Sequence, residues 1–243
     1  MAHGVPDWGV TNAPRNVYQV LDLGELAARL GSIDSFDRRG DVAFLDDFED
    51  GLAHWQHGGI GTGHDERITR ARSRSGAYAV KLIAASDGAK NSLITHTSPL
   101  AFWSPTGAEF SFNLADATLF VDLYLSIQSA TILLAYGIRY SWASGRLYYL
   151  DFASNWIPFA TGVPTLLSAE TFQTMKLVAN PETAKYVRLL VNSTTYDLSA
   201  YSPASGAPAG APVVSLGVEI VGPGATHPYM LVDDAIITQN EPP

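Results

Sequence analysis

Along most of the chain, apolar residues recur at every second position, the period of a strand that buries one face. Leu119, Val121, Leu123, Leu125 and Ile127 fall on one side of such a segment, and Val214, Leu216, Val218 and Ile220 on one side of another. Further strands are expected at 67–74, 77–83, 109–113 and 229–238. Two hairpins follow from turn chemistry. One runs from Thr131 to Phe152 around Ala143-Ser144-Gly145, and one joins Met175–Val178 to Tyr186–Asn192 across Asn180-Pro181-Glu182-Thr183, placing Val187, Leu189 and Val191 on the core face. Short alternating segments separated by Gly, Pro, Ser and Asn predict an all-β, antiparallel jelly-roll β-sandwich. No repeat period is present, which excludes a solenoid or propeller. The Pro- and Ala-rich stretch Tyr201 to Pro212 reads as an exposed loop that deletion would barely disturb.

The first 43 residues do not share this alternation. Leu23, Leu26, Ala27 and Leu30 recur at helical spacing between Asp22 as N-cap and Gly31 as stop, predicting one short helix. A helix that short needs a surface to dock on. Residues 1–43 are therefore expected to form an extended N-terminal arm that binds a partner through Trp8, Leu23, Leu26 and Leu30, with 44–243 as the sandwich domain.

Acidic residues mark both ends of the sandwich. Leu45-Asp46-Asp47-Phe48-Glu49-Asp50-Gly51 with Trp55 opens it and Val232-Asp233-Asp234-Ala235-Ile236 closes it, so the first and last strands are expected to meet. The formal charge of −9, with 15 Lys and Arg against 24 Asp and Glu, argues against nucleic acid as a partner. The chain has no cysteine, so it has no disulfide or thiolate chemistry. No stretch is apolar enough to span a bilayer, and the first residues lack the basic and apolar regions of a signal peptide, predicting synthesis in the cytoplasm without export.

Candidate chemistry is sparse. The Glu-x-Asp-x-x-Glu strand of jelly-roll glycosidases, a Gly-x-Ser-x-Gly elbow and a phosphate loop are all missing, so no catalytic residue is expected. His54, His57 and His64 share a Gly-rich stretch, and Asp46, Asp47, Glu49, Asp233 and Asp234 offer hard oxygen ligands of the kind calcium takes. Arg70, Arg72 and Arg74 recur at period two as a basic stripe, and Arg39-Gly40-Asp41 spells an adhesion tripeptide that belongs to the leader pattern. Aromatic residues crowd 136–159: Tyr136, Ile138, Tyr140 and Trp142 alternate onto one face, and Tyr148, Leu150 and Phe152 are expected on the same face across the Ala143-Ser144-Gly145 turn. Tyr140, Trp142, Tyr148 and Trp156 are the candidates for a glycan or subunit contact, with core packing as the competing use of the same rings.

The acidic opening with Trp55, the Ser73-Arg74-Ser75-Gly76-Ala77-Tyr78 approach to a strand and the Val232–Ile236 ending resemble the carbohydrate-binding-module and laminin-G-like jelly-roll superfold over about residues 44–238. That resemblance implies a structural calcium near the first and last strands. The run from Pro6-Asp7-Trp8-Gly9 through Asp22–Ser32 to Phe36–Val42 resembles the leader of tailed-bacteriophage structural proteins. Together they imply a non-enzymatic, homo-oligomeric virion protein, decorating a capsid or associated with a tail, whose partners are capsid or tail proteins. The alternative is a carbohydrate-binding module that recognises a glycan through exposed aromatic residues.

Overall fold

The computed structural model describes residues 39–87, 90–114, 118–163, 171–224 and 226–242. The expected N-terminal helix, with Trp8, Leu23, Leu26 and Leu30, lies outside them. The chain first forms β1 (Asp41–Asp46), β2 (Gln56–Ile60), β3 (Asp65–Thr69), β4 (Ala79–Ile83), β5 (Asn91–Pro99) and β6 (Thr106–Leu114). It continues through β7 (Phe120–Gln128), β8 (Leu133–Ser141), β9 (Arg146–Leu150), β10 (Trp156–Thr161) and β11 (Gln173–Asn180). It ends with β12 (Lys185–Val191), β13 (Thr194–Asp197), β14 (Ala204–Gly206), β15 (Val213–Val221) and β16 (Tyr229–Gln239). Among the described residues there is no helix.

Two antiparallel sheets face each other. The back sheet has the order β13-β12-β11-β6-β16-β4-β3, with β1 also on β16; the front sheet has the order β10-β9-β8-β7-β15-β5-β2, with β14 on β8. Leu123, Leu125, Ile138, Leu216 and Val218 of the front sheet meet Phe110, Phe112, Leu177, Leu189 and Val232 of the back sheet in one apolar core. In the front sheet the predicted alternation puts the apolar side chains of β7 and β15 on the core face, whereas β6, β11 and β16 of the back sheet are buried on both faces along most of their length. The expected meeting of first and last strands is present, with Leu45 opposite Ile236 and Asp46 opposite Ala235.

The acidic bookends fasten loops. Asp46 accepts hydrogen bonds from Phe48 N (2.7 Å) and Trp55 Nε1 (2.9 Å), closing the turn that carries Phe48, at φ 61°, into the core. Glu49 Oε1 accepts from Ala77 N and Tyr78 N, and Asp233 Oδ2 from Arg74 N and Ser75 N. Burial, then the neighbouring Asp234, pushes the Asp233 carboxyl up to about 6. These carboxylates, read from the sequence as ligands for calcium, are thus aimed at backbone N–H groups. Among the described residues no three acidic or histidine side chains converge as a metal site would require.

Three local expectations change. β3 ends at Thr69, so Arg70, Arg72 and Arg74 form no stripe; Arg70 lies over the Tyr78 ring, and Arg74 turns inward to Ser111 Oγ (2.5 Å). The segment 201–212 is tied down rather than free. Ala204–Gly206 pairs with Leu133–Ala135 of β8, and Gln128 binds Ala209 N (3.0 Å) and Ala211 O (2.8 Å). Finally, a register shift between Val178 and Ala179 leaves Val187 without a partner in β11 and turns Tyr186, not Val187, fully into the core.

Candidate functional site

The outer surface of the front sheet carries the polar and aromatic residues that the core does not use. Cross-strand register aligns them in rows. Tyr148 (β9), Arg139 (β8), Asp122 (β7), Glu219 (β15) and Leu93 (β5) stand side by side, and the next row holds Gly137, Tyr124, Gly217 and Thr95. A third row, Ala135, Ser126, Ser215 and Thr97, is made of small side chains. Together these rows form a strip, termed the trough below, whose first row crosses five strands, on the order of 20 Å at the usual strand spacing.

Trp156 forms its wall. In β10 it pairs with Leu150, which puts its indole on the outer face, where it lies across Gly137 and remains partly exposed. A Cβ at position 137 would sit 3.0 Å from Trp156 Cη2 and 3.1 Å from Leu150 Cβ, so the glycine is what lets the ring lie down on the strand. Tyr124 meets the same indole edge-on, with ring centroids 6.1 Å apart.

An ion pair stiffens the wall from below. Arg139 donates from Nε (2.8 Å) and Nη2 (2.6 Å) to the two oxygens of Asp122, and its guanidinium is held between the rings of Phe120 and Trp156, 4.1 and 4.2 Å from their centroids. The planar fork and the flat cation make Arg suited to this double contact. Tyr124 Oη completes the set by donating to Asp122 Oδ2 (3.2 Å). Asp122 has no exposed surface. Its burial outweighs the help of Arg139, and its carboxyl is pushed up to about 6. Burial also raises the Tyr124 phenol well above its ordinary value, so this hydroxyl stays protonated. On the next strand Glu219 Oε1 accepts from Asn91 Nδ2 (2.6 Å).

The four aromatic candidates divide between two faces. Tyr140 is fully buried in the core, and Tyr136 and Ile138 with it, which removes Tyr140 as a surface contact. Trp142 packs against the core cluster from the turn after β8. Tyr148 lies opposite Arg139, not with Tyr140 as expected, so it shares the outer face with Trp156. The polar partners Asp122, Tyr124, Arg139 and Glu219 were not singled out from the sequence. Their signal was present as the polar half of the alternation, at every second position of β7, β8 and β15.

The histidines also find other roles. His57 and His64 flank the Glu66 carboxylate at 3.9 and 3.0 Å, and Ser92 Oγ donates to it (2.7 Å). His54 offers its carbonyl to the ring of His96, which stacks on Phe44 at 3.5 Å.

No protein-family model and no curated protein sequence matches the chain. Solved structures do share its fold. An endo-β-1,4-glucuronan lyase from the fungus Trichoderma reesei is 10% identical with a TM-score of 0.56, over 82% of this chain and 96% of the lyase. A carbohydrate esterase from the Shiga toxin-encoding bacteriophage phi24B is 15% identical with a TM-score of 0.54, over 83% of this chain and all of the esterase (100%). The carbohydrate recognition domain of Emp46p, in a potassium-bound form, is 9% identical with a TM-score of 0.51, over 79% of this chain and 92% of that domain. At such identities the likeness is one of fold. The chain is an antiparallel β-sandwich that shares its fold with these structures.

Proposed function

We propose that the protein is a non-catalytic glycan-binding module that receives a saccharide in the trough of the front sheet, against Trp156. The observation that carries this reading is the indole laid on Gly137. A flat, partly exposed ring beside hydrogen-bonding groups is what the apolar face and the hydroxyl rim of a sugar require. Arg139 and Phe120 fix the ring before any ligand arrives, which lowers the ordering cost of binding.

The fold alone does not choose between binding and catalysis, since it is shared with a lyase and an esterase as well as with a recognition domain. The site favours binding. Asp122 and Glu219 stand opposite each other on β7 and β15, as two catalytic carboxylates would, but Asp122 is inaccessible and both its oxygens are engaged by Arg139 and Tyr124. A group that cannot touch the glycosidic oxygen cannot protonate it. Tyr124 donates to a carboxylate that Arg139 already engages, and burial holds its phenol protonated, so it is not set up as a nucleophile or a proton acceptor.

The expectation of a phage-particle component rests on residues 1–43, most of which lie outside the described residues, and the trough adds nothing to it. A glycan array probed with the full chain and with Trp156→Ala tests the binding reading. Signals that vanish in the variant support it, and a blank array with the full chain, or signals unchanged in the variant, overturns it.

A further inference from the structure

The row that passes beneath Trp156 carries an unbalanced charge. Asp122 and Glu219 are directly opposite each other across β7 and β15, and like charges in that position repel. Arg139 gives its Nε and Nη2 hydrogen bonds to Asp122 and acts on Glu219 only through space. The remaining cation on the outer face of these strands, Arg146, begins β9, two residues before Tyr148 and in register with Ser141 rather than with the Glu219 row. Glu219 is therefore left with a neutral partner. Asn91 binds Oε1, whereas Oε2 has no described hydrogen-bond partner and is not among the buried unpartnered atoms. The residue as a whole is only 9% exposed, so this oxygen looks out through a narrow opening in the floor of the trough.

We infer that Glu219 is the specificity-determining residue of the trough, and that it selects a glycan bearing a protonated amine, an amino sugar, over a neutral or uronic-acid chain. This inference rests on the glycan-binding reading of the same trough. β15 lies two strands from β8, about 10 Å at the usual spacing, so a sugar stacked on Trp156 places the second sugar along a chain crossing the strands, not the adjacent one, above Glu219. An ammonium group there donates to the open side of the Glu219 carboxylate and balances the charge that Asn91 cannot neutralise. A uronate in the same place meets an open carboxylate, with the nearest arginine already paired. Partial burial makes both effects larger than on a free surface.

Calorimetric titration with three probes of equal length, a glucosamine oligomer, its fully N-acetylated form and an oligoglucuronate, tests this at mildly acidic pH, where the amines are protonated. The glucosamine oligomer is expected to bind about tenfold more tightly than the acetylated one, with an advantage that shrinks as salt is added and disappears in Glu219→Gln. Trp156→Ala is expected to weaken both. If the acetylated or uronate probe binds as well as the amine, or if the preference survives in Glu219→Gln, the inference fails while glycan binding stands. If none of the three probes binds and the glycan array is also blank, both fail.

Discussion

The hydroxyl of Tyr186 accepts a hydrogen bond from Gly137 N at 2.9 Å and donates to Leu150 O at 2.8 Å, bridging two front-sheet strands from the back sheet. The ladder between β8 and β9 ends at Ile138 and Tyr149, and the tyrosine takes over where it stops. Gly137 is thus held from inside by a back-sheet side chain and covered from outside by Trp156. Core packing and the candidate site meet at one residue.

Replacing Tyr186 with Phe keeps the ring and its edge-on contact with Tyr136 but leaves Gly137 N and Leu150 O without their partner. Leaving buried backbone groups unsatisfied costs about 1–3 kcal/mol. Thermal unfolding is expected to show a melting temperature several degrees lower. An unchanged melting temperature would mean that the bridge adds nothing to stability.

Gly137→Val tests the other side of the same residue. A branched side chain has no room under the indole, so Trp156 is expected to swing off the strand and its fluorescence to shift toward that of a solvated tryptophan. Gly137→Ala is expected to move the ring only slightly. An unshifted emission in the valine variant would show that the indole does not rest on Gly137.

Deletion of residues 205–209 removes part of the β14 pairing with β8 and the Ala209 N hydrogen bond to Gln128. The variant is expected to melt several degrees below the full chain, at about 2–4 °C for each kcal/mol lost in a domain of this size. A free surface loop would tolerate the cut.

That loop shows where the sequence stops being informative. Strands such as β7, β12 and β15 were legible from alternation because Leu123, Leu189 or Val218 must avoid water on a period of two; β5 was not, since its buried face mixes Ser92 and His96 with Ile94. β14 was not, since Ala204-Ser205-Gly206 has no apolar face and pairs through backbone groups alone. β2, with Gln56, His57 and two glycines, escaped for the same reason. In the site, Trp156 and Tyr148 were legible as rings, but their face was not. Tyr140 and Tyr148 were expected together, and only the register of β8 on β9, with Tyr140 opposite Leu147 and Arg139 opposite Tyr148, separates them. The partners of Trp156 come from β7 and β8, so the cluster is a product of pairing that no local spacing announces.

Two buried carboxyl groups set the pH response. Asp122 and Asp233 are each held near pKa 6, above the ordinary value of 3.8, by burial first. Between those values the folded chain keeps protons that the unfolded chain has lost. Their contribution to stability is therefore complete below about 3.8 and is lost as pH rises through about 6. Burial holds the His96 imidazole below its ordinary value, which costs stability as pH falls through the same range; the two carboxyls oppose it, and the melting temperature is expected to rise net as pH falls from 7 to about 5, before Asp87 and Asp197, whose carboxyls are held low by backbone N–H donors, take up protons. Carboxyl-carbon NMR should place the Asp122 midpoint near 6; a midpoint in the ordinary carboxylate range would contradict the assigned burial.

In the proposed glycan-binding function, Trp156, on the outer face, holds the sugar and Trp142, packed toward the core, does not. Titration calorimetry of the full chain, Trp156→Ala and Trp142→Phe with the best array ligand measures it directly. Trp156→Ala is expected to lose affinity by about tenfold or more at a nearly unchanged melting temperature, and Trp142→Phe to bind as the full chain does. Undiminished binding by Trp156→Ala, or loss of binding in a folded Trp142→Phe, would contradict the account.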